Sequence, residues 1–270
     1  MAIEAVGRAP RRLGPLAGLG AGVLRVLQVL GEATRLYLST VSRLRFVALD
    51  GQRVVVQLIR IGTDTLPIGA LLSIFVGMVL VLQAADQLRE VSQSVLGPIV
   101  GVAMTKELGP VLMAFLLAGR AGSAMAAEIG SMTVYDEVNA LRTMDIDPVR
   151  FLALPRFVAA TLALPVLVLY ADFIGVWGGA AVVAVDPAIK ISVSEYFARM
   201  LEWIHLRDVI IGLVKALVFG MVASIIPCTF GFRTSGGTEG IAASTTAAVV
   251  WSFILILVFD FLIVRVSFAL

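Results

Sequence analysis

Five long apolar stretches dominate the pattern of hydrophobic and polar positions. Residues 65–85 and residues 240–259 each form a run of about 20 residues without a charge, and roughly 20 apolar residues are enough for a helix to cross a ~30 Å hydrocarbon core. Less regular apolar stretches lie between these two runs. The pattern predicts an all-α integral membrane protein with five spans, at about 65–85, 96–119, 157–183, 209–230 and 241–264.

The segment before the first span has a different pattern. Between residues 21 and 49, apolar residues alternate irregularly with arginine, glutamine and glutamate, which is too much charge for a span. The pattern indicates an amphipathic helix in the membrane interface, its arginines near anionic headgroups. Packing of this helix against the bundle is an alternative, and the two are compatible. We therefore divide the chain into an interfacial arm, 1–63, and a five-helix domain, 64–270.

Composition and charge support this division and predict an orientation. Hydrophobic residues make up 59% of the chain and charged residues only 15%, against about 25% charged in soluble domains. Most arginines outside the spans lie in the N-terminal arm and in the 120–156 connection, which five spans place on the same side. Basic residues favour the cytoplasmic side, so the N-terminus is predicted to be cytoplasmic and the C-terminus outside.

Two adjacent charges, Lys106 and Glu107, stand within the second predicted span, in "TKELGP". Neighbouring residues on a helix point about 100° apart, so these two cannot neutralise each other and each needs its own partner. Pro110 has no N–H, which leaves the Lys106 carbonyl without its helical donor and predicts a kink. Charges at this depth face a polar cavity or other helices. Either they line a ligand pocket, or they form a packing network with Asp172 or Lys215.

The chain after this span becomes rich in small residues and then polar. Gly122 and Ala126 have the small-xxx-small spacing that permits close helix packing. A short helix is predicted to start at Thr133 and to end before Pro148. Its apolar face contains Val134, Val138, Leu141 and Met144. The helix is either interfacial or a docking surface for a partner.

Catalytic and metal-binding patterns are absent from the sequence. It has no GxxxxGK[ST] phosphate loop, and "RTSGGTEG" at 233–240 is typical of a glycine-rich turn. Cys228 is the only cysteine and His205 the only histidine, so no metal site is predicted. We therefore expect no enzymatic activity, no bound cofactor and no nucleic-acid partner, and ATP hydrolysis, if it drives this protein, must take place on another chain.

Four motifs together resemble the MlaE/YrbE family, the permease subunits of ABC transporters that work with MCE-domain proteins to move lipids. They are "ELGPVLMAFLLAGRAGSAMAAEIGSM", "DEVNALRTMDIDPVRFLALPR", "GVWGG" and "TTAAVVWSFILILVFDFL", in this order. The resemblance extends from about residue 65 to the end. It implies an MlaE-like ABC permease fold in a bacterial inner membrane, with an interfacial helix, five transmembrane helices and a cytoplasmic coupling helix.

The resemblance also implies sites and partners. The lipid-binding positions correspond to Lys106, Glu107, Leu80 and Gln83. The ATPase-coupling segment corresponds to 128–147, with Glu128, Met132, Asp136, Glu137, Leu141, Met144 and Asp147. The implied partners are a second permease copy, identical or paralogous, a cytoplasmic ABC ATPase that binds ATP and Mg²⁺, an outer MCE-domain protein, and phospholipid or a related lipid. Ala243 and Ala247 stand where relatives have basic residues.

Two other functions remain open from the residues alone. The intramembrane charges suit an ion- or proton-coupled secondary transporter, which would work without an ATPase. An intramembrane enzyme acting on lipids is the other, and the lack of a nucleophile–base pair argues against it.

Overall fold

The computed structural model describes residues 15–47, 50–88 and 93–267, and this part of the chain folds into helices without strands. The helices are α1 (Pro15–Ser42), α2 (Gly51–Gln87), α3 (Gln93–Val134), α4 (Glu137–Thr143), α5 (Val149–Val185), α6 (Val193–Trp203), α7 (Leu206–Phe232) and α8 (Gly237–Ser267). Five of them, α2, α3, α5, α7 and α8, are long and apolar enough to cross a membrane. The predicted all-α fold with five spans is confirmed. The first 14 residues of the predicted arm and the last three of the chain lie outside the described residues.

The bundle has two ends, which we call the Gln93 end and the Glu137 end. At the Gln93 end, α3 and α7 begin, α8 finishes, and α6 packs on α3. At the Glu137 end lie α1, α4 and the short connection between α7 and α8.

Three helices extend well beyond the spans predicted from hydropathy, all at the Glu137 end. Helix α2 begins at Gly51, α3 continues to Val134, and α5 begins at Val149. Hydropathy detects only the part of a helix that suits hydrocarbon, whereas the helix itself continues until a residue or turn breaks it. The boundary predicted between residues 63 and 64 therefore lies inside α2, and the interfacial arm is represented by α1.

Glycine contacts bring the central helix α5 close to its neighbours. A Cβ on Gly77 of α2 would lie 1.8 Å from the carbonyl oxygen of Gly175, and one on Gly220 of α7 would lie 2.8 Å from the carbonyl oxygen of Ala160. Only glycine permits these backbone approaches. The predicted close packing at Gly122 is also confirmed, because a Cβ there would lie 3.0 Å from Cγ of Pro227 on α7.

Helix α1 packs on the bundle with one face and leaves another apolar face exposed. Val29 and Ala33 are buried, and the Tyr37 ring meets the Phe157 ring edge-on at 5.9 Å between centroids. Among the α1 side chains that the structure describes, the exposed large apolar ones are Val23, Leu24, Val26, Leu27 and Leu38. Packing against the bundle is thus observed, and the exposed apolar face suits the predicted position in the membrane interface.

Helix α4 is shorter than predicted. Helix α3 continues through Thr133 to Val134, so the predicted helix start at Thr133 is wrong, and α4 begins only after Asp136, which has a φ of 59°. Val138 and Leu141 are buried as predicted, but Met144 is 61% exposed and does not belong to their face. The reason is that α4 ends at Thr143 and the chain turns at Asp145, also with a φ of 59°. A left-handed aspartate is tolerated but leaves no clear trace in the sequence.

Candidate functional site

The α3 backbone is irregular where it carries the two adjacent charges. Met104–Leu108 forms a single π-helical turn that ends two residues before Pro110, and such turns are common near functional sites. The Lys106 carbonyl, which would meet the nitrogen of Pro110 in a regular α-helix, accepts a hydrogen bond from Lys215 Nζ at 2.9 Å. The freed carbonyl inferred from the sequence is therefore used by another helix.

Lys106 and Glu107 have different partners, both on α7. Lys106 Nζ lies 2.7 Å from Oδ1 of Asp208, and Glu107 Oε2 accepts a hydrogen bond of 2.7 Å from Lys215 Nζ. The Asp208 carboxylate also accepts from the backbone N–H of His205 at 3.1 Å, which fixes the start of α7. The prediction that the neighbours cannot satisfy each other is confirmed.

Lys215 is the centre of this arrangement. It is fully buried, and besides its two bonds to α3 its Nζ lies 2.9 Å from Oδ1 of Asp260 on α8. The Asp260 contact is an ion pair without hydrogen-bond alignment, since that oxygen has no hydrogen-bond partner. We call Lys106, Glu107, Asp208, Lys215 and Asp260 the charge cluster. It joins α3, α7 and α8 within the apolar part of the bundle.

Two members of the charge cluster were missed from the sequence. Asp260 is a lone acid in the last predicted span, and that isolation was a usable signal. Asp208 lies next to the predicted start of the fourth span, where an acid is ordinary, so its sequence signal was weak.

Asp172, the other candidate partner from the sequence, does not join the cluster. Its Oδ1 lies against the backbone of Gly109, where a Cβ would come within 1.9 Å. This oxygen is buried and has no hydrogen-bond partner among the described residues. Of the two candidates from the sequence, the structure therefore selects Lys215, the partner of Glu107, and not Asp172.

A polar cavity of about 530 Å³ opens beside the charge cluster at the Gln93 end. Its polar lining consists of Lys106, Glu107, His205, Arg207, Asp208, Lys215 and Ser267. An apolar groove of about 610 Å³ adjoins it on α7 and α8, lined mainly by Ile210, Val214, Phe259, Leu262, Ile263 and Val266. The two share Arg207, Ile211 and Ser267. A polar cavity next to an apolar groove suits an amphiphilic ligand.

Leu80 and Gln83 are not brought to this cavity. Leu80 is partly buried against the cluster of apolar residues around Val81, and Gln83 is exposed on α2. The described walls of the polar cavity come from α3, α7 and α8. Lys106 and Glu107 line a cavity that could hold a lipid headgroup. Leu80 and Gln83 do not line it, and their lipid binding stays a prediction.

A second set of charges ties the extended helices together at the Glu137 end. Glu128 of α3 lies 2.5 Å from Arg60 of α2 and accepts a 2.8 Å bond from Arg156 of α5, which is only 8% exposed. Arg120 donates to Thr65 Oγ1 at 2.9 Å and so adds a second link from α3 to α2. We call Arg60, Glu128 and Arg156 the arginine network. It makes α2, α3 and α5 one unit beyond their apolar parts.

The predicted coupling residues divide into two groups. Asp136, Glu137 and Met144 are exposed around α4 and are free to contact another chain. The others have contacts within this chain: Leu141 is buried and Met132 packs beside it, Asp147 forms an ion pair with Arg43 and Glu128 belongs to the arginine network. The second group supports α4 and the first forms its outer surface.

Known proteins match this chain over most of its length. A family model described as permease MlaE matches residues 54–266. A probable ABC transporter permease protein of Rickettsia bellii is 37% identical over 251 residues, which cover 93% of this chain and 96% of the relative. The intermembrane phospholipid transport system permease protein MlaE of Haemophilus influenzae is 33% identical over 258 residues, 94% of this chain and 97% of the relative.

Proposed function

Because this chain belongs to the MlaE permease family and is an ABC transporter permease, we propose that it moves phospholipid between its membrane and an MCE-domain partner. ATP hydrolysis would take place on a separate ATPase chain, which binds the ATP and Mg²⁺. The Haemophilus relative is named for intermembrane phospholipid transport, and the cavity of this chain suits such a substrate. Family membership favours this function over the ion-coupled alternative.

The observation that carries the lipid assignment is the polar cavity with the apolar groove beside it. A phospholipid needs polar partners for its headgroup and a dry surface for its acyl chains, and the two chambers provide these side by side. Glu107, whose side chain is 46% exposed, and Lys106, at 37%, both reach the cavity while held by α7. We assign them to the headgroup wall.

The Glu137 end is proposed to be cytoplasmic and the Gln93 end to face the outside. Basic residues concentrate at the Glu137 end, including Arg43, Arg53, Arg142 and Arg150, in agreement with the positive-inside rule. This orientation places α4 on the side where ATP is available. It also places the mouth of the polar cavity where an MCE-domain protein can receive or deliver a lipid. We assign the membrane to the bacterial inner membrane.

Helix α4 is proposed to dock on the ATPase. It is held rigidly by Val138 and Leu141 while Asp136 and Glu137 stay exposed, so it can pass a displacement to α3 and α5. A second permease copy, identical or paralogous, would complete the transporter.

Charge reversal on α4 tests the coupling assignment. The double variant Asp136→Lys and Glu137→Lys should abolish co-purification of the co-expressed ATPase, because it reverses the charge of the proposed docking surface. Membrane insertion should be unchanged, since both side chains are exposed and hold no described ion pair. Glu202→Lys, on the exposed surface of α6 at the opposite end, is the matched control and should retain the ATPase. Retention by the α4 variant as well would remove the assignment. Lipid transfer driven by an ion gradient without any ATPase would refute the proposed energy source.

A further inference from the structure

Arg207 stands where the polar cavity meets the apolar groove. Of the charged side chains described, it is the one that lines both. It is exposed, and its guanidinium donates a single hydrogen bond of 3.0 Å, to the carbonyl of Ser267. No carboxylate lies within ion-pair distance of it in the described part of the chain. A guanidinium has five N–H donors, so most of the Arg207 donors face open space.

Both lysines of the cavity already form ion pairs with carboxylates of this chain. Lys106 is paired with Asp208, and Lys215 is buried between Glu107 and Asp260. With two lysines and three carboxylates, the charge cluster carries a formal charge of −1. An anion entering the cavity is therefore repelled by the cluster unless a further cation compensates it. Arg207 is the cation that is free to do so.

The surroundings of Arg207 also fit the shape of a lipid. Arg207 is the second residue of α7, at the end of an apolar helix, where headgroups lie. Ile210 and Val214 follow on the same helical face and are about half exposed, as are Leu262 and Val266 on α8. An acyl chain lying on this surface leads directly up to the guanidinium.

We propose that Arg207 binds the phosphate of a phospholipid whose acyl chain lies in the apolar groove. The inference rests on the proposed lipid-transport function and adds a phosphate ligand to it. The guanidinium fork matches two phosphate oxygens, which the lysines in the cavity, as point charges, do not. The charge cluster then shapes the cavity and holds α3 to α7, while Arg207 discriminates phospholipids from neutral lipids.

Native mass spectrometry of the purified full chain in detergent tests this assignment, with dioleoylphosphatidylglycerol and dioleoylglycerol as probes. The two lipids share their acyl chains and differ in the phosphate headgroup. We expect Arg207→Gln to bind dioleoylphosphatidylglycerol about tenfold more weakly than the wild type, because charge-assisted hydrogen bonds to the phosphate are lost. Its affinity for dioleoylglycerol should be unchanged. Arg207→Lys should restore part of the difference, since it keeps the charge without the fork. Arg199→Gln, an exposed arginine on α6 that lines neither chamber, is the matched control.

The outcomes separate this inference from the proposed function. Equal phosphatidylglycerol binding by the wild-type chain and Arg207→Gln would overturn the role of Arg207 and leave lipid transport standing. Equal loss of both lipids would also overturn it, because the effect would not depend on phosphate. A wild-type chain that retained neither lipid would instead contradict the lipid substrate itself.

Discussion

Removing the cation at the centre of the charge cluster should be the most damaging single change in the apolar part of the bundle. Lys215 is fully buried and contacts two carboxylates and one carbonyl, so Lys215→Met removes the charge and keeps most of the shape. Loss of one partner from a buried ion pair costs about 3–5 kcal/mol. Glu107 is half exposed to the cavity and remains hydrated, whereas Asp260 is 19% exposed and does not. We therefore expect about 3 kcal/mol, the lower end of that range, which is roughly a hundredfold change in the unfolding equilibrium.

The measurement is equilibrium unfolding of the purified chain in mixed detergent micelles, followed by circular dichroism. A second substitution, Asp260→Asn, made together with Lys215→Met should recover most of the loss, because no buried charge is then left without a partner. Lys190→Met is the matched control, an exposed lysine at the same end that should change stability by less than about 0.5 kcal/mol.

Two results would refute this reasoning. If the free energy of unfolding of Lys215→Met were within about 0.5 kcal/mol of the wild type, the buried ion pairs would contribute little to stability. Their contribution would then be as small as that of typical interhelical hydrogen bonds in membranes, about 0.6 kcal/mol. If the double variant were as unstable as the single one, packing around the lysine stem would be responsible, and not the unpaired acid.

Three further predictions follow from contacts elsewhere in the bundle. Gly77→Ala should lower the thermal midpoint of unfolding, since its Cβ would lie 1.8 Å from a backbone carbonyl oxygen of α5 and overpacking costs about 1–3 kcal/mol. Gly62→Ala, whose Cβ would enter open space, should leave the midpoint unchanged or raise it. Equal effects of the two would contradict the close helix approach. Glu128→Gln should cost about 3 kcal/mol in the same unfolding assay and be partly rescued by Arg156→Gln, and an absent rescue would argue against the arginine network. Asp172→Asn should be at least as stable as the wild type in this unfolding assay, because the buried Asp172 oxygen has no hydrogen-bond partner to lose. A clear loss of stability would reveal a partner.

The sequence predicted the features of the site that depend on one helix alone. The 100° between adjacent residues required separate partners for Lys106 and Glu107, and the missing N–H of Pro110 freed a carbonyl. Both are local consequences of helix geometry, and both are observed. The five spans were predictable for a similar reason, because the length of an apolar run reports directly on the thickness of hydrocarbon.

What the sequence could not predict depends on how helices pack together. Asp208 meets Lys106 of α3, and Asp260 meets Lys215 of α7, only because the three helices pack in one particular register, which no local pattern encodes. Leu80 and Gln83 were assigned by resemblance to a family and not by geometry, and the fold keeps them apart from the cavity of this chain. The true start of α4 was hidden because a left-handed Asp136 has no distinctive neighbours.

The two charged regions are parts of one continuous helix. Glu107 and Glu128 are 21 positions apart on α3, about 31 Å along its axis at 1.5 Å per residue, and α4 follows after a two-residue turn. Both charges of the π-helical turn bind α7, so any displacement of α3 along α7 must strain or exchange the partners of Lys106 and Glu107. The arginine network ties α2 and α5 to α3, because Glu128 forms ion pairs with both. If α4 docks on the ATPase as proposed, a displacement applied there would reach the wall of the polar cavity through the α3–α7 contact, where the charge cluster joins the two helices.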